Sequence, residues 1–157
     1  MTEPTGAATA TPREVFERLQ RRLQEEGGKG FADLMAIDGV VEWPFAGPGA
    51  PRRLQGREEI RALVSRSAVL ELQEMRSVAV HETQDPEVIV VEVETHGKVV
   101  ASDRPVRLSA IAVIRVRGGE IVSYRDYTNP LAAAEATGRL RELISALTTA
   151  EVTRETR

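Results

Sequence analysis

The 157-residue chain contains no cysteine, which removes disulfides, thiolate metal sites and thiol nucleophiles at once. It has two histidines, His81 and His96, in different strand candidates. A zinc site would need carboxylates to complete it, and no HExxH-type spacing occurs. An excess of one charge is also missing: 21 Lys and Arg stand against 24 Asp and Glu, a net charge of -3. That balance gives no reason to expect nucleic acid or an anionic membrane as a partner. No apolar run approaches the length of a membrane span, and the N-terminus lacks the basic-then-apolar order of a signal peptide. The expectation from these absences is a cytoplasmic, metal-free protein, and general acid–base chemistry in it would need no cofactor.

Aromatic residues are scarce, at one Trp, two Tyr and three Phe. Both tyrosines flank one acidic residue, Asp126, in the segment "IVSYRDYTNP" that ends at Pro130. A carboxylate in such a strand either lies in water or turns into a pocket, and most of the functional reading depends on which.

What is present is ordinary for a globular chain, with 41% hydrophobic and 29% charged residues, and the length suits one domain. Residues 1–11 read as a disordered tail, 12–148 as a single domain and 149–157 as a flexible tail. "TPREVFERLQRRLQEEGGKG" is a punctuated helix, with Thr11 as N-cap, Pro12 at the first helical position and Glu14 three residues on from the cap. Gly27 and Gly28 stop it. "FADLMA" continues as a short helical turn and "GVVEWPF" reads as a strand, followed by a loop at "AGPGAP". "GREEIRALVSRSAVLE" is a second amphipathic helix.

Four β-rich segments follow, "MRSVAVHETQ", "EVIVVEVETHG", "VRLSAIAVIRVRGG" and "EIVSYRDYTN", before a last helix that begins at Pro130. Helices first and an antiparallel meander afterwards define an α+β fold, one curved sheet with helices on one face. In "VIVVEVETH" the alternation puts Val88, Val90, Glu92, Glu94 and His96 on one face and Ile89, Val91, Val93 and Thr95 on the other. The next strand is apolar on one face and mixed on the other. A sheet that is partly apolar on both faces predicts a second covering, and a second subunit is the simplest.

The segments "VVEWPFAGPGAPRRLQGREEI" and "GGEIVSYRDYTNPLAAAEA" resemble SnoaL-like proteins of the nuclear transport factor 2 superfamily, whose members include polyketide cyclases, ketosteroid isomerases and limonene epoxide hydrolases. The resemblance runs over roughly residues 12–147. It implies a cone: a strongly curved antiparallel sheet wrapped around the N-terminal helices, with an internal pocket and a homodimer through the outer sheet face. It also implies that Asp126 matches the aspartate that acts on water in the hydrolases. By simple alternation Asp126 would share its face with Val122, Tyr124 and Thr128. Other family positions are not kept. Trp43 stands where the isomerases carry their proton-shuttling aspartate, and "LSAIAV" offers Ser109 and alanines where their oxyanion-stabilising aspartate belongs. The hydrolases' arginine is missing from "VVEVETH", and Val40 and Glu42 replace their water-positioning pair.

The chemistry expected is general acid–base work on a small hydrophobic polyketide- or terpenoid-like molecule, of cyclase, isomerase or epoxide-hydrolase type. Asp126, Tyr124, Glu94 and Glu42 are the candidate catalytic residues, and Trp43, Phe45, Glu92, Val122 and Thr128 the candidate pocket. A carboxylate among apolar walls has its pKa raised, and a second carboxylate close by raises it further. Each residue also has a plainer reading. Asp126 would brace the dimer or the cone mouth in an ion pair, Glu92 and Glu94 would be a solvated strand face, and His96 a surface histidine beside a turn. The alternatives for the whole chain are a non-catalytic binding protein of the same fold and a dimeric interaction module.

Overall fold

The punctuation read at Thr11 sets the first element. The structure, a computed structural model, describes residues 9–66 and 69–155, the last five of them as backbone only. Helix α1 (Pro12–Glu26) carries a complete capping box: the Thr11 hydroxyl accepts from the Glu14 amide at 3.2 Å, and the Glu14 carboxylate accepts from the Thr11 amide at 2.8 Å. Val15, Phe16, Leu19 and Leu23 form its buried stripe. Gly27, at φ 63°, turns the chain out of the helix. A 3-10 segment (Gly27–Leu34) leads into β1 (Met35–Glu42), so this strand starts at Met35 rather than Gly39 and stops before Trp43. Of the tail predicted over 1–11, residues 1–8 lie outside the described residues.

The loop after β1 returns through β2 (Arg53–Gln55) to α2 (Arg57–Arg66). The second predicted helix ran on to Glu71. Its residues 67–68 lie outside the described residues, and Leu70 already opens β3 (Leu70–Glu82). Then come β4 (Val88–Val99), β5 (Pro105–Arg117) and β6 (Glu120–Asp126). The single predicted C-terminal helix is two, α3 (Pro130–Ala136) and α4 (Leu140–Glu155), divided at Gly138 with φ 72°. Only glycine takes that left-handed conformation without steric cost. Helix α4 reaches Glu155, through residues read as a flexible tail.

The six strands form one sheet in the order β2-β1-β6-β5-β4-β3. The sheet is mixed, not wholly antiparallel, because the four-strand meander returns its last strand beside β1 in the same direction. The sheet does not close on itself, and it carries register shifts in the β1–β6, β3–β4 and β5–β6 pairs. Such bulges bend strands and increase their twist. At the β1–β6 irregularity a side chain on Gly39 would come within 3.0 Å of the Ile121 carbonyl, so the two backbones approach closely there. This is the α+β cone architecture, a curved open sheet over N-terminal helices.

Helix α1 packs against β3, β4 and β5. The alternation read in β4 and β5 holds: Ile89, Val91, Val93, Ala112, Ile114 and Val116 are buried with Phe16, Leu19 and Ile121 in one core. No helix among the described residues is long and apolar enough to cross a membrane.

Ile114, fully buried at the centre of β5, is expected to cost about 2–5 kcal/mol when truncated to alanine. Ile37, 79% exposed on β1, is expected to cost under about 0.5 kcal/mol. Urea denaturation of the two variants checks the contrast.

Candidate functional site

A bulge in β6 decides which side chains meet. Ser123 pairs with Arg115 but Ile121 pairs with Val116, so Val122 is the extra residue. Tyr124 is opposite Ile114 and Asp126 opposite Ala112, both core-face residues of β5. Directly paired residues share a face, so Ile121, Tyr124 and Asp126 point to the core side. The sequence put Val122 in that set. The bulge gives its place to Ile121, and Val122 does not line the cleft described below.

The strand ends at Asp126 because its own side chain starts a turn. One carboxylate oxygen, Oδ1, accepts from the Thr128 amide at 2.9 Å and from the Thr128 hydroxyl at 2.5 Å. An aspartate bonded two residues ahead is a standard turn device. Asn129 then caps α3 by accepting from the amides of Leu131 and Ala132, and Pro130 takes the first helical position. The string "DYTNP" is thus a sheet-to-helix corner. Part of Asp126's role is structural, but it occupies only one oxygen. Oδ2 has no hydrogen-bond partner among the described residues.

Where the chain leaves the sheet, a cleft of about 830 Å³ opens between the end of β6, the loop after β1, and helices α3 and α4. Trp43, Phe45, Asp126 and Thr128, all singled out from sequence, line it. Sequence reading missed Leu63, Leu70, Ala134, Thr137, Arg139 just before α4, and the α4 residues Leu143 and Ala146. The last three had a signal, since they follow one another at helical spacing on a single stripe. Leu63 and Leu70 had none, being ordinary apolar residues that only the fold brings there. Phe45 is 57% exposed and meets Tyr127 edge-on at 5.3 Å between ring centres.

Burial raises the Asp126 carboxyl above its ordinary pKa, with the Thr128 hydrogen bonds opposing the shift in part. Tyr124 lies in the core, edge-on to Phe31 at 5.1 Å, and does not line the cleft. Burial first, and the Asp126 charge second, push its phenol far above the ordinary tyrosine value.

The other predicted carboxylates lie elsewhere. Glu92 pairs with Ile111, and Glu94 with Ser109, on the sheet face opposite Ala112 and Asp126. No carboxylate pair with Asp126 forms, because a residue of the wrong parity cannot cross the sheet. Each has its own partner there. Glu92 meets the His81 imidazole at 2.8 Å, and Glu94 is held by His96 and Arg107. The hydrogen bond with His96, with Arg107 adding to it, keeps the Glu94 carboxyl below its ordinary pKa, the opposite of what an acid–base role near neutrality needs. Glu42 sits opposite Arg125, one step off the core face, with its carboxylate 3.6 Å from that guanidinium. Among the described residues no cluster of three or more His, Cys, Asp or Glu is arranged to hold a metal ion.

With this geometry in place, comparison with known proteins decides the family: the model of the SnoaL-like domain matches residues 16–124. The chain belongs to the SnoaL-like family. This SnoaL-like protein is 33% identical over 126 residues to an uncharacterized PhzA/B-like protein of Pseudomonas aeruginosa, covering 80% of this chain and 89% of that one. It is also similar to the crystal structure of a proposed isomerase from Bacillus subtilis, at 30% identity, with a TM-score of 0.72 and coverage of 81% and 92%. A Mycobacterium tuberculosis protein solved in complex with estradiol-17beta-hemisuccinate shares the fold at 20% identity, with a TM-score of 0.66 and coverage of 77% and 96%. The ketosteroid isomerase-like fold that the SnoaL-like protein adopts is also that of an epoxide hydrolase from M. tuberculosis and a proposed polyketide cyclase from Xanthomonas campestris, at 18% and 16% identity.

The raised pKa of Asp126 fixes a sign for stability. The folded chain keeps this proton to higher pH than the unfolded chain, so the group's contribution falls as pH rises from the ordinary aspartate value towards the folded one. Asp126→Asn keeps an oxygen acceptor for Thr128 and avoids the cost of a partly desolvated charge. Thermal melts should therefore place the variant above wild type at about pH 8 and level with it at about pH 4.

Proposed function

We propose that this protein is a cofactor-independent acid–base catalyst that holds a small apolar molecule in the cleft and moves a proton through Asp126. One observation carries the reading: a carboxylate at the wall of an apolar cleft has one oxygen fixed by Thr128 and the other without a partner among the described residues. Desolvation brings such a group towards neutral pH, where a base is efficient. Cyclisation, isomerisation and addition of water to an epoxide all begin with proton transfer in a dry, shaped cavity. The cyclase, isomerase and hydrolase neighbours support this range of chemistry through the fold alone. A polyketide- or terpenoid-like skeleton fits a cleft of this size and lining.

Tyr124 takes a supporting part in this reading. It lies on the same strand face and stays neutral, so it modulates Asp126 from behind and does not touch the substrate. No catalytic part is proposed for Glu42, Glu92 or Glu94, because their partners and their sheet face separate them from the cleft.

A second reading, binding without turnover, is favoured by the lack of another unpaired ionisable group among the described residues of the cleft wall: the other two there, Arg139 and Glu142, pair with each other at 3.0 Å. The two readings part on a single variant. Asp126→Asn is expected to lower turnover by about 10²–10⁴-fold while thermal shifts induced by neutral ligands remain, and Glu94→Gln is expected to stay within about twofold of wild type. Turnover unchanged in Asp126→Asn would leave only the structural corner.

The protein is further proposed to act as a homodimer through the outer sheet face. There Ile111 is 46% exposed, Val78 is 67% exposed at a bulge of β3, and Val90 and Val113 lie half-buried between the charged pairs. Light scattering is expected to give twice the chain mass, and Ile111→Arg to give the monomer.

A further inference from the structure

The cleft has a chemical bias that follows from counting its donors and acceptors. Every hydroxyl on its wall spends its proton internally: Thr128 donates to Asp126, and Thr137 donates to the Ala133 carbonyl at 2.8 Å. Arg139 is the one cation among the described lining residues, and it is paired with Glu142 one helical turn on. What the side chains of the described wall offer a ligand is the unengaged Oδ2 of Asp126, the aromatic rings of Trp43 and Phe45 with the Trp43 indole N–H as one neutral donor, and hydrocarbon. A carboxylate-bearing ligand would place like charge beside Asp126 with little to receive it. A neutral hydrocarbon would leave Oδ2 desolvated and unpaired, which is unfavourable for a buried acceptor. A protonated amine answers both conditions, because it donates to the carboxylate and is attracted to aromatic faces.

We propose that the cleft selects apolar molecules bearing a protonated amine, whose nitrogen is seated on Oδ2 of Asp126 beside Trp43 and Phe45. The assignment rests on the reading of this cleft as the ligand site and names the class of molecule it takes. The bond is a charge-assisted N–H···O contact, so it exists only while Asp126 is ionised and the amine is charged.

Three probes with one skeleton test it on the full chain by calorimetry: 1-naphthylmethylamine, 1-naphthalenemethanol and 1-naphthoic acid. The amine is expected to bind about tenfold more tightly than the alcohol, and the acid more weakly than either. Asp126→Asn should bring the amine down to the alcohol. In wild type, amine affinity should rise with pH above the ordinary aspartate range as Asp126 ionises, while alcohol affinity should not follow that rise. The wild-type pH series needs no variant, so it stands even if Asp126→Asn folds poorly. Equal binding of amine and alcohol, or tighter binding of the acid, overturns the amine assignment and leaves the cleft in place as a ligand site. Binding by none of the three overturns the cleft reading and the assignment with it.

Discussion

A pleated strand gives each residue one of two faces, and in this protein that binary choice separates the carboxylates. Asp126 falls on the core side because it pairs with Ala112, while Glu92 and Glu94 fall on the other because they pair with Ile111 and Ser109. No side chain is long enough to reverse such an assignment across a sheet backed by Phe16, Leu19 and Ile114. Once parity is fixed, the electrostatics follow. The outer carboxylates find histidines and arginines within hydrogen-bond reach, so their charge is matched. Among the described residues Asp126 finds only Thr128, so of these three carboxylates its charge is the unmatched one. The same sheet therefore holds carboxylates driven in opposite directions, Glu94 towards easier ionisation and Asp126 towards harder.

The position of Asp126 along its strand matters as much as its face. A carboxylate in the middle of β6 would be buried in the core, where no ligand could reach it, as Tyr124 is against Phe31. At the strand's last residue, the sheet still shields one side while the departing chain leaves the other side open. The corner that creates this opening is built by Asp126 itself, through the two bonds from Thr128, and is continued by the Asn129 cap and Pro130. Structural and chemical roles are divided between two oxygens of one group.

Much of this was legible in the sequence where the signal was local. The Thr11–Glu14 capping box, the alternation of β4 and β5, and the resemblance to SnoaL-like proteins each lead to what the structure and the family match contain. Four of the residues expected around a pocket, Trp43, Phe45, Asp126 and Thr128, line one cleft. What failed were statements that needed register. Val122 was placed by unbroken alternation, and one extra residue between Ile121 and Ser123 shifted the phase. A carboxylate partner for Asp126 was sought by chain neighbourhood, but pairing depends on which strand lies alongside and in what phase. The parallel β1–β6 contact was hidden for a related reason, since nothing in either strand records the direction of its neighbour. Gly138 was read as part of a helix because a single glycine at helical spacing is tolerated, and only its left-handed φ shows the break.

The division of oxygens at Asp126 bears on how such a site changes function within one family. The corner needs an acceptor at Oδ1, and asparagine supplies that as well as aspartate does. Selection on folding alone therefore leaves the choice between the two open, and only the second oxygen distinguishes them. An ionisable group kept where its charge is costly, when an isosteric neutral residue would hold the same turn, is difficult to explain by packing. Partial desolvation at the cleft wall makes the charge of Asp126 costly, and the oxygen left free of the turn is the one that a molecule in the cleft can reach.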